Sequence, residues 1–218
     1  MTKMLPAKQT AKLTKKVYFC ASKREDMLNV NEIFYSIQGE GANTGTAATF
    51  VRLSGCNLRC PFCDTEYQSG AAMDEKSILE QIEKHPGPWV VITGGEPTLQ
   101  NLDNLIEEIH KTGKKVAIET NGTHPVPAGA DWVTVSPKTA FVTDADVVVS
   151  KADEVKVVFD GEHDVCDHGI EAKHYFVQPC DIGNPDENRR IVEQCVAFIL
   201  QNPKWRLSLQ VHKVIHVK

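Results

Sequence analysis

Three observations predict an α/β fold with a mostly parallel sheet for this 218-residue chain. Short continuous apolar runs, such as Trp89-Val90-Val91-Ile92-Thr93, have the character of strands buried on both faces, and they alternate with segments of helical apolar spacing. Helix-start signals, Asp74 and Asn184-Pro185-Asp186-Glu187, stand where the period changes. Cys56, Gly94, Asn121, Ser136 and Gln178 all fall at the C-terminal ends of predicted strands, the rim on which parallel β/α folds build their sites.

Residues 1–26 stand apart. Up to Arg24 they hold seven Lys or Arg and no acid, with one apolar patch at Val17-Tyr18-Phe19-Cys20. A transit peptide would be richer in Arg and Ser, so a basic extension outside the core is the expectation, with Met27 as an alternative start. Residues 27–218 are expected to form one core domain.

Asn31 to Ile37 reads as a strand-like lead into the glycine-containing turn 38–45, and 46–54 as the first buried strand. Asp74 can cap a helix that buries Ile78, Leu79 and Ile82, with Met73 and Ile78 placed as a hydrophobic staple. After the strand at 89–93, Leu102, Leu105, Ile106 and Ile109 share a helical face that Gly113 closes. Further strands are predicted at 115–119, 132–135, 154–159, 175–177 and 207–211, with a helix from Asn184 to about Gln201. Repeated alternation places helices outside the sheet.

Composition narrows the function. A net charge of −5 argues against a nucleic-acid surface, and no run of about 18 apolar residues suggests a membrane span. Seven cysteines, three of them within eight positions, suit metal binding in a reducing compartment, here the cytoplasm, better than a disulfide framework. Cys20, Cys166, Cys180 and Cys195 are scattered and read as small, partly buried thiols. The eight histidines show neither metal-ligand spacing nor a nucleophile pattern.

The cysteine loop carries the chemistry. Cys56, Cys60 and Cys63 follow a predicted strand with the spacing Cys-x3-Cys-x2-Cys. Soft thiolates select zinc, copper(I) or iron–sulfur clusters, and structural zinc and ordinary clusters want four ligands. Two readings stay open. One is a [4Fe-4S] cubane with one iron free for a cofactor; the other is a zinc knuckle with a distant fourth ligand. Gly94-Gly95 allows close approach of backbone to a ligand or forms a simple turn. Arg52 can take a carboxylate in a bidentate fork or sit at a strand edge.

The cysteine trio, followed after a strand by Gly94-Gly95-Glu96-Pro97, resembles the radical S-adenosylmethionine (SAM) superfamily. Ile37-Gln38-Gly39-Glu40-Gly41, Arg52, Asp64-Thr65 and Ser136-Pro137-Lys138 narrow the resemblance to the 7-carboxy-7-deazaguanine synthase family, from about Met27 to the end. The resemblance implies a shortened, partial β/α barrel and a [4Fe-4S] cluster on Cys56, Cys60 and Cys63 whose open iron chelates SAM. It implies that Phe62, Cys63 and Asp64 line the adenosyl side and that Gly95 meets the methionyl amino group. Ser136, Pro137 and Lys138, with Gln178, Pro179, Cys180 and Asp181, would approach the ribose and carboxylate of SAM. Gln-Pro is also an ordinary strand terminator. Thr65 would hold Mg2+, while Ile37, Gln38, Gly39, Glu40, Arg52 and Thr93 would bind substrate.

The implied activity is a lyase converting 6-carboxy-5,6,7,8-tetrahydropterin to 7-carboxy-7-deazaguanine and ammonia for queuosine-type deazapurines, with a flavodoxin-like or similar electron donor and a homodimeric state. A glycyl-radical-enzyme activase and a non-catalytic zinc or iron–sulfur module are the alternatives. The tail Val214-Ile215-His216-Val217-Lys218 departs from the family's proline-ended form and is left without a role. Deleting residues 1–26 is expected to leave turnover intact; a truncated protein that stays folded but loses activity would refute the extension reading.

Overall fold

The computed structural model describes residues 27–218, so the reading of the basic head lies outside the described residues. They form one nine-stranded sheet in the order β3-β1-β2-β4-β5-β6-β7-β8-β9. The strands are β1 (Met27–Ile37), β2 (Ala47–Leu53), β3 (Ala71–Asp74), β4 (Trp89–Gly94), β5 (Lys115–Thr120), β6 (Trp132–Val135), β7 (Lys151–Phe159), β8 (Glu171–Pro179) and β9 (Arg206–Leu207). β1 runs antiparallel to β2 and β3; every pairing from β2 to β9 is parallel. The sheet is not closed, as a partial barrel requires.

The helices form where the signals stand. Asp74 caps α1 (Glu75–Ile82), its side chain accepting from the Ser77 N–H at 2.6 Å. Ile78 and Ile82 are fully buried, and Met73 packs against the same cluster, as a staple requires. α2 (Asp103–Lys111) buries Leu105, Ile106 and Ile109, and Gly113 leaves it at φ +81°, a conformation costly for any other residue. Asn184 caps α3 (Pro185–Gln201), accepting from the N–H groups of Asp186 and Glu187.

Two sequence expectations are corrected. Helix alternates with strand only between β3 and β5 and after β8; the connections from β5 to β8 contain no helix. Those segments are rich in Gly, Pro and Asp and lack an apolar helical period, so nothing could be buried by coiling them. The last strand ends at Leu207 and not at Val211, which instead starts the short helix α4 (Val211–Val214). The Val211 N–H bonds to the Gly39 carbonyl at 3.0 Å, which draws the chain off the sheet and across its C-terminal rim.

The pleat sorts the side chains. Val51, Leu53, Val90, Ile92, Val116 and Ile118 point outward beneath α1 and α2, each worth roughly 1.5–3 kcal/mol when fully buried. Val155, Val157 and Val177 do the same beneath α3. The alternate residues Ala48, Phe50, Val91 and Ala117 form a separate inner cluster with Phe34, Trp89 and Trp132. Continuing that inner row toward the C-terminal rim brings Arg52, Thr93 and Glu119 in line. Replacing the Asn184 cap by Ala should cost about 1 kcal/mol; urea unfolding checks this, with an unchanged midpoint as the contrary outcome.

Candidate active site

The polar end of the inner face opens into a cavity of about 780 Å³ at the C-terminal ends of the strands. Every site residue expected from the sequence lines it except Pro137. The sheet thus gathers motifs that lie far apart along the chain.

On one side stands the cysteine loop. Cys56 and Cys60 are half-buried and Cys63 is exposed. The Leu58 N–H donates to the Cys56 sulfur at 3.4 Å, and the Cys63 N–H to the Cys60 carbonyl at 3.2 Å. Buried Leu58 pins the loop, and the Tyr67 hydroxyl braces its carbonyl at 3.3 Å. Burial pushes the Cys56 and Cys60 thiols up, and nearby Lys138 partly opposes this. Metal binding reverses such a shift because it takes the thiolate and releases the proton. Among the described residues no three His, Cys, Asp or Glu side chains converge on a single ion position. The thiolates of a cubane attach to separate irons and need no common point.

The glycine pair is pressed against this loop. A Cβ on Gly94 would lie 2.1 Å from the Leu53 carbonyl oxygen, and one on Gly95 would lie 2.0 Å from the Gly55 oxygen. The Gly95 N–H bonds to Leu53 and the Glu96 N–H to Gly55. Glu96 is fully buried, and its carboxylate accepts from the Thr98 N–H and hydroxyl, the Thr120 hydroxyl and the Asn121 N–H, at 2.5–3.0 Å. The Asn121 side chain donates to Asn57 in the cysteine loop at 3.0 Å. These backbone and side-chain bonds leave a bare glycine edge facing the thiols, so the residues present fit a cluster with a small amino-acid-like cofactor beside it.

The opposite side is lined by charged, amide and aromatic side chains. Arg52 donates through Nε to Glu32 at 3.0 Å and lies over the Phe34 ring, which stacks on Phe50. Gln38 and Thr93 donate to the two oxygens of Glu119 at 2.8 and 3.0 Å. Glu40 pairs with buried Lys156 and accepts from Gln210 at 3.0 Å, so both its oxygens already have protein partners. Burial opposes ionisation of Glu40, but the Lys156 ammonium outweighs it and holds the carboxyl down to about 2. Burial would lower Lys156, yet Glu40 and Glu119 keep it above its ordinary value. Glu154 accepts from the Ala42 N–H and the Thr134 hydroxyl, and burial raises it.

The remaining predicted residues close the ring. Lys138 donates to the Ser136 carbonyl and hydroxyl at 2.6 Å, and burial pulls it down to about 8. The Ser208 hydroxyl fixes Gln178 at 2.8 Å, and Cys180 is buried beside Pro179. Lys213 bridges Asp64 and Asp181 at 2.7 and 3.1 Å, tying α4 to both walls. Ile37 and Thr65 line the cavity, Gly39 packs under His212, and Phe62 meets Phe141 edge to face.

Sequence reasoning missed Glu32, Glu119, Glu154, Lys156, His212 and the tail. The tail reaches the cavity through Val217 and Lys218, and Lys218 pairs with Glu32 and lies over Phe34. The run Glu154-Val155-Lys156-Val157 did carry a signal: charges alternating with valines in a strand whose neighbours are buried.

Residues 50–179 match the model of the radical SAM superfamily. A 7-carboxy-7-deazaguanine synthase from Bacteroides thetaiotaomicron is 46% identical over 192 residues, spanning 88% of this chain and 100% of that one. The enzyme of that name from Haemophilus influenzae is 37% identical over 89% and 96%. The crystal structure of QueE from Escherichia coli superposes with a TM-score of 0.65 at 30% identity, covering 85% of this chain and 95% of that one.

Because Glu40 titrates near 2 in the fold against an ordinary 4.5, its stabilisation is fully present above about pH 4.5 and is lost as pH falls toward 2. Lys156→Met alone should cost about 3–5 kcal/mol by leaving buried carboxylates unpaired, whereas Glu40→Gln with Lys156→Met should recover most of the loss. Urea unfolding at neutral pH tests this; equal losses in both proteins would disprove the pairing.

Proposed function

This chain belongs to the radical SAM superfamily and, within it, to the 7-carboxy-7-deazaguanine synthases, and we propose on that premise how its cavity works. The chain is a lyase of deazapurine biosynthesis that turns 6-carboxy-5,6,7,8-tetrahydropterin into 7-carboxy-7-deazaguanine with loss of ammonia. One observation carries the assignment of roles: the three thiols, the glycine pair and the Arg52 side share one cavity.

Cys56, Cys60 and Cys63 would hold the [4Fe-4S] cluster, and Gly95, Ser136, Lys138 and Gln178 to Asp181 would seat SAM. When bound, these groups supply one-electron hydrogen abstraction; protein residues supply position and exclusion of water. Arg52 keeps Glu32 on its Nε edge, and its terminal nitrogens have no hydrogen-bond partner among the described residues, so a substrate carboxylate can take them in a fork. Gln38, Thr93 and Glu119 present fixed donors and acceptors to the ring edge. Glu40 is held by Lys156 and Gln210, one on each oxygen, and keeps a further lone pair on each for the ring.

Mg2+ at Thr65, an external flavodoxin-like reductant, a homodimer and a cytoplasmic setting complete the proposal. Mg2+ takes few protein ligands and keeps its waters, which suits a single rim hydroxyl. No helix among the described residues is long and apolar enough to cross a membrane. The catalytic unit is residues 27–218, a reading supported by the Bacteroides relative, which is covered end to end by 88% of this chain.

The test is anaerobic turnover of reconstituted protein with SAM, reductant, Mg2+ and 6-carboxytetrahydropterin, followed by absorbance and mass. A deazaguanine product that vanishes with Cys60→Ala is expected, together with weaker Mg2+ stimulation in Thr65→Ala. Reductive SAM cleavage without product would overturn the substrate assignment, and undiminished Mg2+ response in Thr65→Ala would remove that residue's role.

A further inference from the structure

Lys156 has more donors than the protein uses. It stands on the inner face of β7, 7% exposed, and lines the cavity. An ammonium carries three N–H donors, and among the described residues only Glu40 accepts one of them. Unsatisfied donors on a buried charge are costly, so the site is built to receive acceptors.

The surroundings decide what kind. Three carboxylates, Glu40, Glu119 and Glu154, act on this one ammonium, so an anionic ligand group would be repelled there. A neutral acceptor is not. The cation suited to an anion is Arg52 on β2, four places away along the sheet from β7. The two cations therefore offer a ligand two different partners, one suited to a carboxylate and the other to a neutral oxygen.

Resting on the pterin reading above, we infer that Lys156 is the specificity-determining donor to the ring carbonyl of the substrate's pyrimidinone. Its pairing with Glu40 fixes the ammonium while leaving two N–H groups for the cavity. Glu154, held by Ala42 and Thr134, backs the same charge without occupying those donors.

The test compares binding of two stable pteridines, 6-carboxypterin and 2,4-diaminopteridine-6-carboxylate, by calorimetry. They differ along the edge inferred to face Lys156, where a C4 carbonyl acceptor beside an N3–H donor is replaced by an amino donor beside a bare N3, so the quantity read is the share of the preference that depends on Lys156. Wild-type protein should favour the carbonyl compound by about tenfold or more, the usual effect of a hydrogen bond to a charged group. That preference should fall about tenfold in Glu40→Gln with Lys156→Met, which keeps the local charge balanced. No preference in the wild type, or a preference that survives undiminished in the double variant, would overturn the inference. A second test needs no variant: an isotope-labelled ring carbonyl of bound 6-carboxypterin should shift to lower infrared frequency, and an unshifted band would refute the contact. If wild-type protein binds neither pteridine, the functional reading itself falls and takes this inference with it.

Discussion

The site depends first on a buried acid. Glu96 has no solvent exposure and no ion pair among the described residues, yet its carboxylate is satisfied by four donors from two segments. A buried carboxylate is tolerable only with such a shell. The shell spans the end of β4, the turn after it and the end of β5, and Asn121 extends it to Asn57 beside the thiols. This network sets the distance between the glycine pair and the cysteine loop. A looser partner would free both loops, and with them the position of any cofactor.

The second constraint is the pleat. Because side chains alternate, a strand that buries Val90 and Ile92 beneath helices must turn Val91 and Thr93 inward. The inner row is apolar at its lower end and polar at the rim, which gives an apolar floor beneath a hydrogen-bonding wall. β1 joins this arrangement by an irregularity. Val30 pairs with Leu53 and Glu32 with Arg52, so the extra residue Asn31 switches the strand's facing between them. Val30 stays in the outer core while Glu32 turns to meet Arg52. Asn31 itself is held by Ser69 at 2.9 Å, which ties the bulge to the segment following the cysteines.

The C-terminal segment then links the two halves. Gln210 holds Glu40, Lys213 spans Asp64 and Asp181, and Lys218 reaches Glu32. The outer ion pairs are partly exposed and individually weak. Their effect is geometric: one short strap touches Glu40 and Glu32, the segment after the thiols and the end of β8.

The sequence by itself determined the strand order of burial, the helix caps at Asp74 and Asn184, and the cysteine and glycine motifs. Each of these is local: a cap needs only the next turn, and a thiol loop needs only its own spacing. Tertiary structure decided the rest. Glu119, Glu154 and Lys156 come together only when the sheet curves their face inward, and Glu32 joins them on that face only because a single bulge turns it. The partners that hold Glu40, Lys156 and Gln210, lie 116 and 170 positions away. The tail, left without a role because its ending departs from the family form, is placed at the cavity by the Gly39–Val211 bond. Charge pairing across such separations is fixed by register and closure, and neither is written in any local stretch of the chain.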